Sequence, residues 1–338
     1  MNIREAIEQL VNRVHLSEAE TISVMNEIMS GEATPLQVAS FLTALRMKGE
    51  TVEEITGAAR VMREKAHRVN VQSKTVLDTC GTGGDQKGTF NISTTCAFVA
   101  AGAGVHVAKH GNRSVSSQSG SADVLSVLVV KVDAPKERVQ GCIDKIGIGF
   151  LFAPLLHEAM KYAVQPRRDI GIRTIFNLLG PLTNPAMATH QLMGLYSGEL
   201  IRTIAHVLKN LGSSRALVVH GMEGLDEVSL CGPTHLAELR DGVVTEYVIQ
   251  PEAVGLKACR LEDLRGGSPE ESAAIVRAVL QGKKGAARDV VLFNSGAALY
   301  VSDAAASFEE GIRLAAESID SGKAQRKLEA LVEMTNEA

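Results

Sequence analysis

One glycine-rich run constrains this chain more than any other stretch. It reads Gly81-Thr82-Gly83-Gly84-Asp85 and continues through Gln86-Lys87-Gly88-Thr89-Phe90-Asn91-Ile92 to Ser93-Thr94-Thr95-Cys96. Thr75-Val76-Leu77-Asp78 precedes it, short and apolar like a buried strand. From Ser93 to Ala101 an apolar stretch follows a cluster of hydroxyls, the pattern of a helix with a hydroxyl cap. Strand, glycine loop and helix start together suit an anion. Glycines let backbone N–H groups approach phosphate oxygens, and a helix N-terminus adds unpaired N–H groups and partial positive charge. Familiar phosphate motifs do not fit. Gly83 and Gly88 have the outer spacing of a Walker loop, but Thr89 stands where lysine is required. A dinucleotide fingerprint from Gly81 needs glycine where Gln86 stands. A plain glycine turn fits these residues almost as well, so the neighbours decide.

The next strand, Val105 to Lys109, ends in Lys109-His110-Gly111-Asn112-Arg113-Ser114-Val115-Ser116-Ser117. Two cations, an imidazole and several hydroxyls follow one strand. Gly120-Ser121-Ala122-Asp123 then opens another helix with a hydroxyl cap, and Val127 to Val130 is a further strand-like apolar run. This alternation predicts an α/β fold with a mostly parallel central sheet. In such sheets the loops at strand carboxyl ends meet in one crevice. Two anion-binding loops there point to a ligand with two phosphate groups. A third strand, Ala216 to Gly221, leads into Gly224-Leu225-Asp226-Glu227-Val228-Ser229. Paired carboxylates opposite phosphate loops suit Mg²⁺, which bridges acidic side chains to phosphate oxygens. Asp78 and Asp123 are rival acids, but their positions before or inside regular elements favour structural roles.

Residues 1 to about 68 read as helix throughout. Capping boxes at Ser17/Glu20, Thr34/Gln37 and Thr51/Glu54 open three helices, with Pro35 at a first helical position and Gly31 and Gly49 at stops. Val38, Phe41, Leu42 and Leu45 form a buried stripe. The segment is expected either to serve packing alone or to be a small helical domain supplying a dimer face or a lid, and its apolar content suits dimerisation. Residues 135 to 165 read as helical, with Phe150 to Pro154 an apolar junction and His157 a structural histidine. Arg167 or Arg168 could hold a carboxylate by a bidentate pair, and Asn177 to Pro185 is expected to break the chain sharply. A helix over 199 to 212, a hairpin turning at Asp241-Gly242, and four closing helices complete the pattern.

Composition narrows the function classes. Net charge is -4 and aromatics are 4% with no Trp, so neither a basic nucleic-acid surface nor a stacking platform is expected. The five cysteines are scattered without a C-x-x-C pair, as in reduced cytosolic proteins. No apolar leader or membrane-length run is seen, so a cytoplasmic location without membrane contact is expected.

Five motifs in order, Gly81-Thr-Gly-Gly-Asp85, Asn91-Ile-Ser-Thr94, Lys109-His-Gly-Asn-Arg113, Arg173-Thr-Ile-Phe-Asn-Leu-Leu-Gly-Pro-Leu-Thr-Asn-Pro185 and Asp226-Glu227, resemble the anthranilate phosphoribosyltransferase family of tryptophan biosynthesis. The resemblance covers nearly the whole chain. It implies a homodimer of the nucleoside phosphorylase/phosphoribosyltransferase type. A helical domain (1–70, joined by 167–185) would face a larger α/β domain (71–166 and 186–338) across a cleft. It implies phosphoribosyl pyrophosphate and anthranilate as substrates, with Mg²⁺. Carried over by position, Gly81, Gly84, Asp85, Thr89, Asn91, Ile92, Ser93, Thr94, Lys109, His110, Gly111, Asn112, Arg113, Ser114, Val115, Ser116, Ser117 and Ser121 would bind phosphoribosyl pyrophosphate or line its site. Ser93, Asp226 and Glu227 would hold metal. Gly81, Asn112 and Arg167 would meet anthranilate, with His110 near the aromatic acid. Lys109 and Arg167 would act by electrostatics and positioning. Gln165-Pro166 departs from the family's usual Pro-Val before the arginine pair. The rival within this architecture is a pyrimidine nucleoside phosphorylase. The paired acids and the Lys-His-Gly-Asn-Arg run favour the anthranilate enzyme.

Overall fold

The computed structural model describes residues 1–114 and 118–337. Four helices open the chain: α1 (Ile3–Val11), α2 (Glu18–Met29), α3 (Pro35–Lys48) and α4 (Val52–Lys65). The three expected capping boxes form, and Asn2 with Glu5 makes a fourth. Val38, Phe41, Leu42 and Leu45 are all buried.

The remaining elements, in order, are β1 (Val76–Gly81), α5 (Ile92–Gly102), β2 (His106–Gly111), α6 (Ser121–Val127), α7 (Lys136–Ile146), β3 (Ile148–Phe152), α8 (Ala153–Leu156), α9 (Lys161–Ile170), α10 (Phe176–Leu182), β4 (His190–Gly194), α11 (Ile201–Asn210), β5 (Arg215–Gly221), β6 (Thr234–Arg240), β7 (Val243–Ile249), α12 (Pro269–Leu280), α13 (Ala286–Val301), α14 (Phe308–Asp320) and α15 (Lys323–Asn336). One seven-stranded sheet runs β3-β2-β1-β4-β5-β6-β7. Strands β1 to β5 pair in parallel, and β6 and β7 add an antiparallel edge. The hairpin turns at Asp241 and Gly242, both with positive φ.

Alternation along the strands divides the core. Leu192, Leu217 and Val219 face a cluster with α5, α12, α13, α14 and α15. Met193, Ala216 and Val218 face a second cluster, which also contains α11, α10 and the four opening helices, while Val76, Ala108 and Leu151 face a smaller third one. A parallel sheet covered on both faces reads as continuous apolar runs, as these do. Ala163, Ile175, Phe176, Leu178, Leu179 and Leu182 belong to the same cluster as α1 to α4. Arg63 reinforces that junction, donating from Nε to Leu182 O (2.7 Å) and from Nη1 to Leu211 O (3.2 Å).

Several expectations need correction. Val127 to Val130 is no strand: Leu128 and Val130 donate back into the last turn of α6, and Val129 takes a left-handed φ of 70° with its side chain 59% exposed. The third parallel strand lies instead at Ile148–Phe152, inside the stretch read as helical. Gly147 (φ 77°) ends α7 and releases the chain into it. Asn177 to Pro185 is not a break throughout. Phe176–Leu182 is a helix, whose entry is fixed by Asn177 Oδ1 accepting from Thr174 N (3.0 Å), and the chain turns only after it. Neither α5 nor α6 has a hydroxyl cap: Asn91 and Gly120 hold the cap positions, and neither makes a side-chain cap bond. Gln165 and Pro166 lie within α9, with Gln165 Nε2 donating to Asp169 Oδ1 (2.6 Å).

Candidate active site

Strands β1, β2 and β5 are parallel, so the loops that leave their carboxyl ends gather at one end of the sheet. The glycine loop leaves β1 at Gly81 and the carboxylate loop leaves β5 at Gly221. They touch through the carboxylates. Asp226 Oδ2 accepts from Gly83 N (2.8 Å), and Glu227 Oε1 accepts from Ser93 N in the first turn of α5 (3.2 Å). Only glycine permits this approach. A Cβ on Gly81 would lie 2.6 Å from Asp226 Oδ2, and one on Gly194 of β4 would lie 1.5 Å from the Asp226 carbonyl oxygen.

The loop after β2 joins the same site. Asn91 Nδ2 donates to Ser119 O (3.4 Å), and Ser119 Oγ donates to Asn91 Oδ1 (3.1 Å). Asn112 O accepts from Ala122 N and from Ser121 Oγ (3.3 Å). Asp123 accepts from Ser114 N and Gly120 N, both at 3.0 Å, and pairs with Arg113 Nη1 (3.0 Å); against its partial burial, the two backbone bonds and then Arg113 hold its pKa below the ordinary value. Asp78 is fully buried, accepting from His110 N (3.2 Å) and Asn184 Nδ2 (2.8 Å). Both acids therefore brace loops. Val115, Ser116 and Ser117 lie outside the described residues.

The electrostatics centre on three acids. Burial, then the charge of Asp85, pushes Asp226 up to about 7. Glu227 is raised well above the usual carboxylate range, first by burial and then by Asp226, with Lys109 opposing. Asp85 Oδ2 is buried without a hydrogen-bond partner. Crowded carboxylates with an orphaned oxygen are the donor set of a hard divalent cation. Among the described residues no group of three or more His, Cys, Asp or Glu side chains is placed to hold a metal ion by itself.

Other candidate residues differ in access. Ile92 and Thr94 are 1% exposed, so their side chains are shielded from a ligand in the cleft. Lys109 is 4% exposed, with Nζ donating to Thr79 O and to Ser93 Oγ (3.3 Å), so it lies beneath the loops. Thr89 pairs in an isolated bridge with Arg265. Arg167 is half-buried, 5.2 Å from the Phe176 ring centroid, and burial lowers its pKa. It has no ion-pair partner among the described residues.

Two features escaped the sequence reading. His157 faces His110 with ring centroids 5.2 Å apart. Burial above all pushes His110 down to about 3 and His157 down to about 4, so both rings are neutral. His110 Nδ1 lies 3.2 Å from Gly180 O of α10, which brings this pair beside the Arg167 segment. A lone histidine 47 positions downstream gives no signal of such pairing. Arg173 is the second. Its guanidinium lies 4.2 Å from the Tyr196 ring centroid and donates to Gly84 O, so the segment before α10 grips the glycine loop.

Two family models match the chain. One, described as a glycosyl transferase family helical bundle domain, covers residues 4–66; the other, a glycosyl transferase family a/b domain, covers residues 73–325. Anthranilate phosphoribosyltransferase from Geotalea uraniireducens is 54% identical, over 99% of this chain and 100% of that protein. The same enzyme from Syntrophobacter fumaroxidans is 56% identical over 99% of each. The crystal structure of the Thermus thermophilus enzyme superposes with a TM-score of 0.94 at 45% identity, covering 98% of this chain and 99% of that one. The Saccharomyces cerevisiae enzyme in complex with PRPP and Mg gives 0.90 at 30% identity, covering 98% and 97%.

Proposed function

The chain belongs to the anthranilate phosphoribosyltransferases, and from that premise we propose how its own residues divide the work. The reaction transfers the phosphoribosyl group of 5-phosphoribosyl 1-pyrophosphate to the amine of anthranilate, in tryptophan biosynthesis.

The pyrophosphate lies against the glycine loop, where Gly81, Gly84 and the N-terminus of α5 offer backbone N–H groups, and against the segment from Gly111 to Ser121. Asp226 and Glu227, with Asp85 and Ser93 beside them, hold Mg²⁺. When bound, the ion neutralises pyrophosphate oxygens as the C1–O bond breaks. The single observation carrying this reading is the pair of bonds from Gly83 N and Ser93 N to Asp226 and Glu227, which bring acids and phosphate loop into one place. Lys109, beneath Ser93, acts through its field on Glu227 and the leaving group rather than as an open contact. Arg167, a half-buried cation without an acidic partner among the described residues, orients the anthranilate carboxylate. Neutral His110 beside Gly180 lines the aromatic side. The amine of anthranilate is already uncharged, so positioning and electrostatics carry the reaction without a strong general base.

The boundary near residue 70 is supported by the two family models, one ending at 66 and the other starting at 73; 167–185 is joined to 1–70 because α10 packs in the apolar cluster of α1 to α4, a cluster that also takes in α11 and one face of the sheet. A homodimer through the helical domain is supported by exposed apolar side chains there: Val11 (67%), Val14 (49%), Leu36 (78%) and Met47 (71%). Among the described residues no helix is long and apolar enough to cross a membrane. A biosynthetic role and unpaired cysteines support a cytoplasmic location.

The test follows anthranilate fluorescence as phosphoribosyl pyrophosphate and Mg²⁺ are added. Loss of signal requiring both supports the assignment, whereas phosphorolysis of thymidine by the same protein favours a nucleoside phosphorylase. Combined Asp226→Asn and Glu227→Gln substitution is expected to weaken Mg²⁺-dependent turnover. Activity indifferent to Mg²⁺ would remove both residues from the metal role.

A further inference from the structure

Two thiols outside the site stand close together. Cys231 Sγ and Cys259 Sγ are 3.9 Å apart although 28 positions separate them in sequence. Both are half-buried, while Cys80, Cys96 and Cys142 are buried. The surrounding backbone already holds the two segments in register, since Cys259 N donates to Leu230 O (3.0 Å). Cys231 N donates to Ser229 Oγ (2.9 Å), and that hydroxyl donates to Glu223, so the carboxylate loop is fixed on one side of the pair. Downstream of Cys259 the chain reaches the glycine loop: Phe90 N donates to Leu264 O (3.1 Å) and Gly266 N to Gly88 O (2.9 Å). The thiol pair thus sits at the node joining both loops.

We propose that Cys231 and Cys259 are a redox modification site, closing into a reversible disulfide in the presence of a low-molecular-weight disulfide oxidant. The chemistry balances in two exchanges. One cysteine thiolate attacks the oxidant disulfide, giving a mixed disulfide and releasing one reduced thiol. The neighbouring thiolate then attacks the protein sulfur of that mixed disulfide and releases the second. Two protein thiols lose two protons and two electrons, and the oxidant disulfide becomes two thiols. A disulfide needs sulfurs about 2.05 Å apart, so the two half-buried side chains, now 3.9 Å apart at sulfur, must turn toward each other to close it. Burial raises both thiols, Cys259 to about 12, so closure is slow at neutral pH and quickens in mild alkali. The link would staple a loop across the node and restrict the unfolded chain.

The test incubates the full-length protein with oxidised glutathione at pH 7 and pH 8.5, then maps peptides without reduction. The expected result is one cross-linked pair, Cys231 with Cys259, reversed by dithiothreitol and formed faster at pH 8.5. The oxidised protein should melt about 3–8 °C higher, the size expected for a disulfide closing a loop of this length in a chain of this size. Cys231→Ser and Cys259→Ser should each remove the cross-link and the melting shift. Separate glutathione adducts on the two cysteines, with no cross-link, would overturn the proposal. So would a melting shift that persists in either serine variant.

Discussion

Gly194→Ala probes the closest approach in the site. Gly194 ends β4, directly under the carboxylate loop, and an added Cβ would lie 1.5 Å from Asp226 O and 2.3 Å from the Asp226 carbonyl carbon. Real Cβ atoms essentially never come within 3.0 Å of such neighbours. The obstruction is backbone, not the tip of a flexible side chain. The loop must therefore retreat by about 1.5 Å, the separation missing between the two distances. That retreat draws Asp226 away from Gly83 N and disturbs Glu227 at the start of α5. A misplacement of about 1 Å in a positioned group costs roughly 100-fold in rate. We expect kcat/KM to fall about 100-fold, with the Mg²⁺ concentration for half-maximal rate raised. Steady-state rates from anthranilate fluorescence, measured across a Mg²⁺ series, give both quantities. Gly232→Ala is the control, because a Cβ there meets nothing within 4 Å. Thermal melts of both variants separate site effects from loss of fold. A Gly194→Ala protein within threefold of the parent, or one slower but with an unchanged Mg²⁺ response, would refute the reasoning.

Arg167→Ala should raise the anthranilate KM by about 10- to 100-fold, the loss of one charge-assisted contact, and leave kcat within a few-fold; an unchanged KM in steady-state assays would retire that role. Arg173→Ala removes the donor to Gly84 O and the stack on Tyr196, and should raise the phosphoribosyl pyrophosphate KM about tenfold. Arg173→Lys should recover part of that loss, and equal effects on both substrates would argue for general loosening. Burial is the main cause that depresses His110 to about 3 and His157 to about 4, against roughly 6.5 in the unfolded chain. The unfolded state therefore binds more protons below about pH 6.5, and stability falls as pH drops from there toward about 4, by up to ~1.4 kcal/mol per pH unit for each ring. Melts of His110→Gln at pH 7 and pH 5 should show a smaller acid loss than the parent; an equal loss would count against a buried neutral ring.

The elements legible in the sequence were those with local signals. Capping boxes at Ser17, Thr34 and Thr51, the Asp241-Gly242 turn and the closing helices need only neighbouring residues, and each appears where expected. Ile148–Phe152 was missed because a short buried strand lacks alternation and looks like a piece of apolar helix. Val127 to Val130 misled in the opposite direction, since the closing turn of α6 has the same composition. Within the site, Asp226 and Glu227 were legible because paired acids follow a strand. Arg173 and His157 were not, because their meaning depends on Gly84 and His110, far away in sequence. Lys109 was read only as one of two cations after a strand; tertiary packing, which commits its ammonium to Thr79 O and Ser93 Oγ, has no local signal.

The central claim is that three strand-end loops form one site for a doubly phosphorylated sugar and its metal. A crystal structure of this protein with phosphoribosyl pyrophosphate and Mg²⁺ tests it most directly. The expected density has the pyrophosphate between the Gly81–Asp85 loop and the Gly111–Ser121 segment, with the ion on Asp226 and Glu227. Ligand bound elsewhere, or an ion bound without either acid, would contradict it.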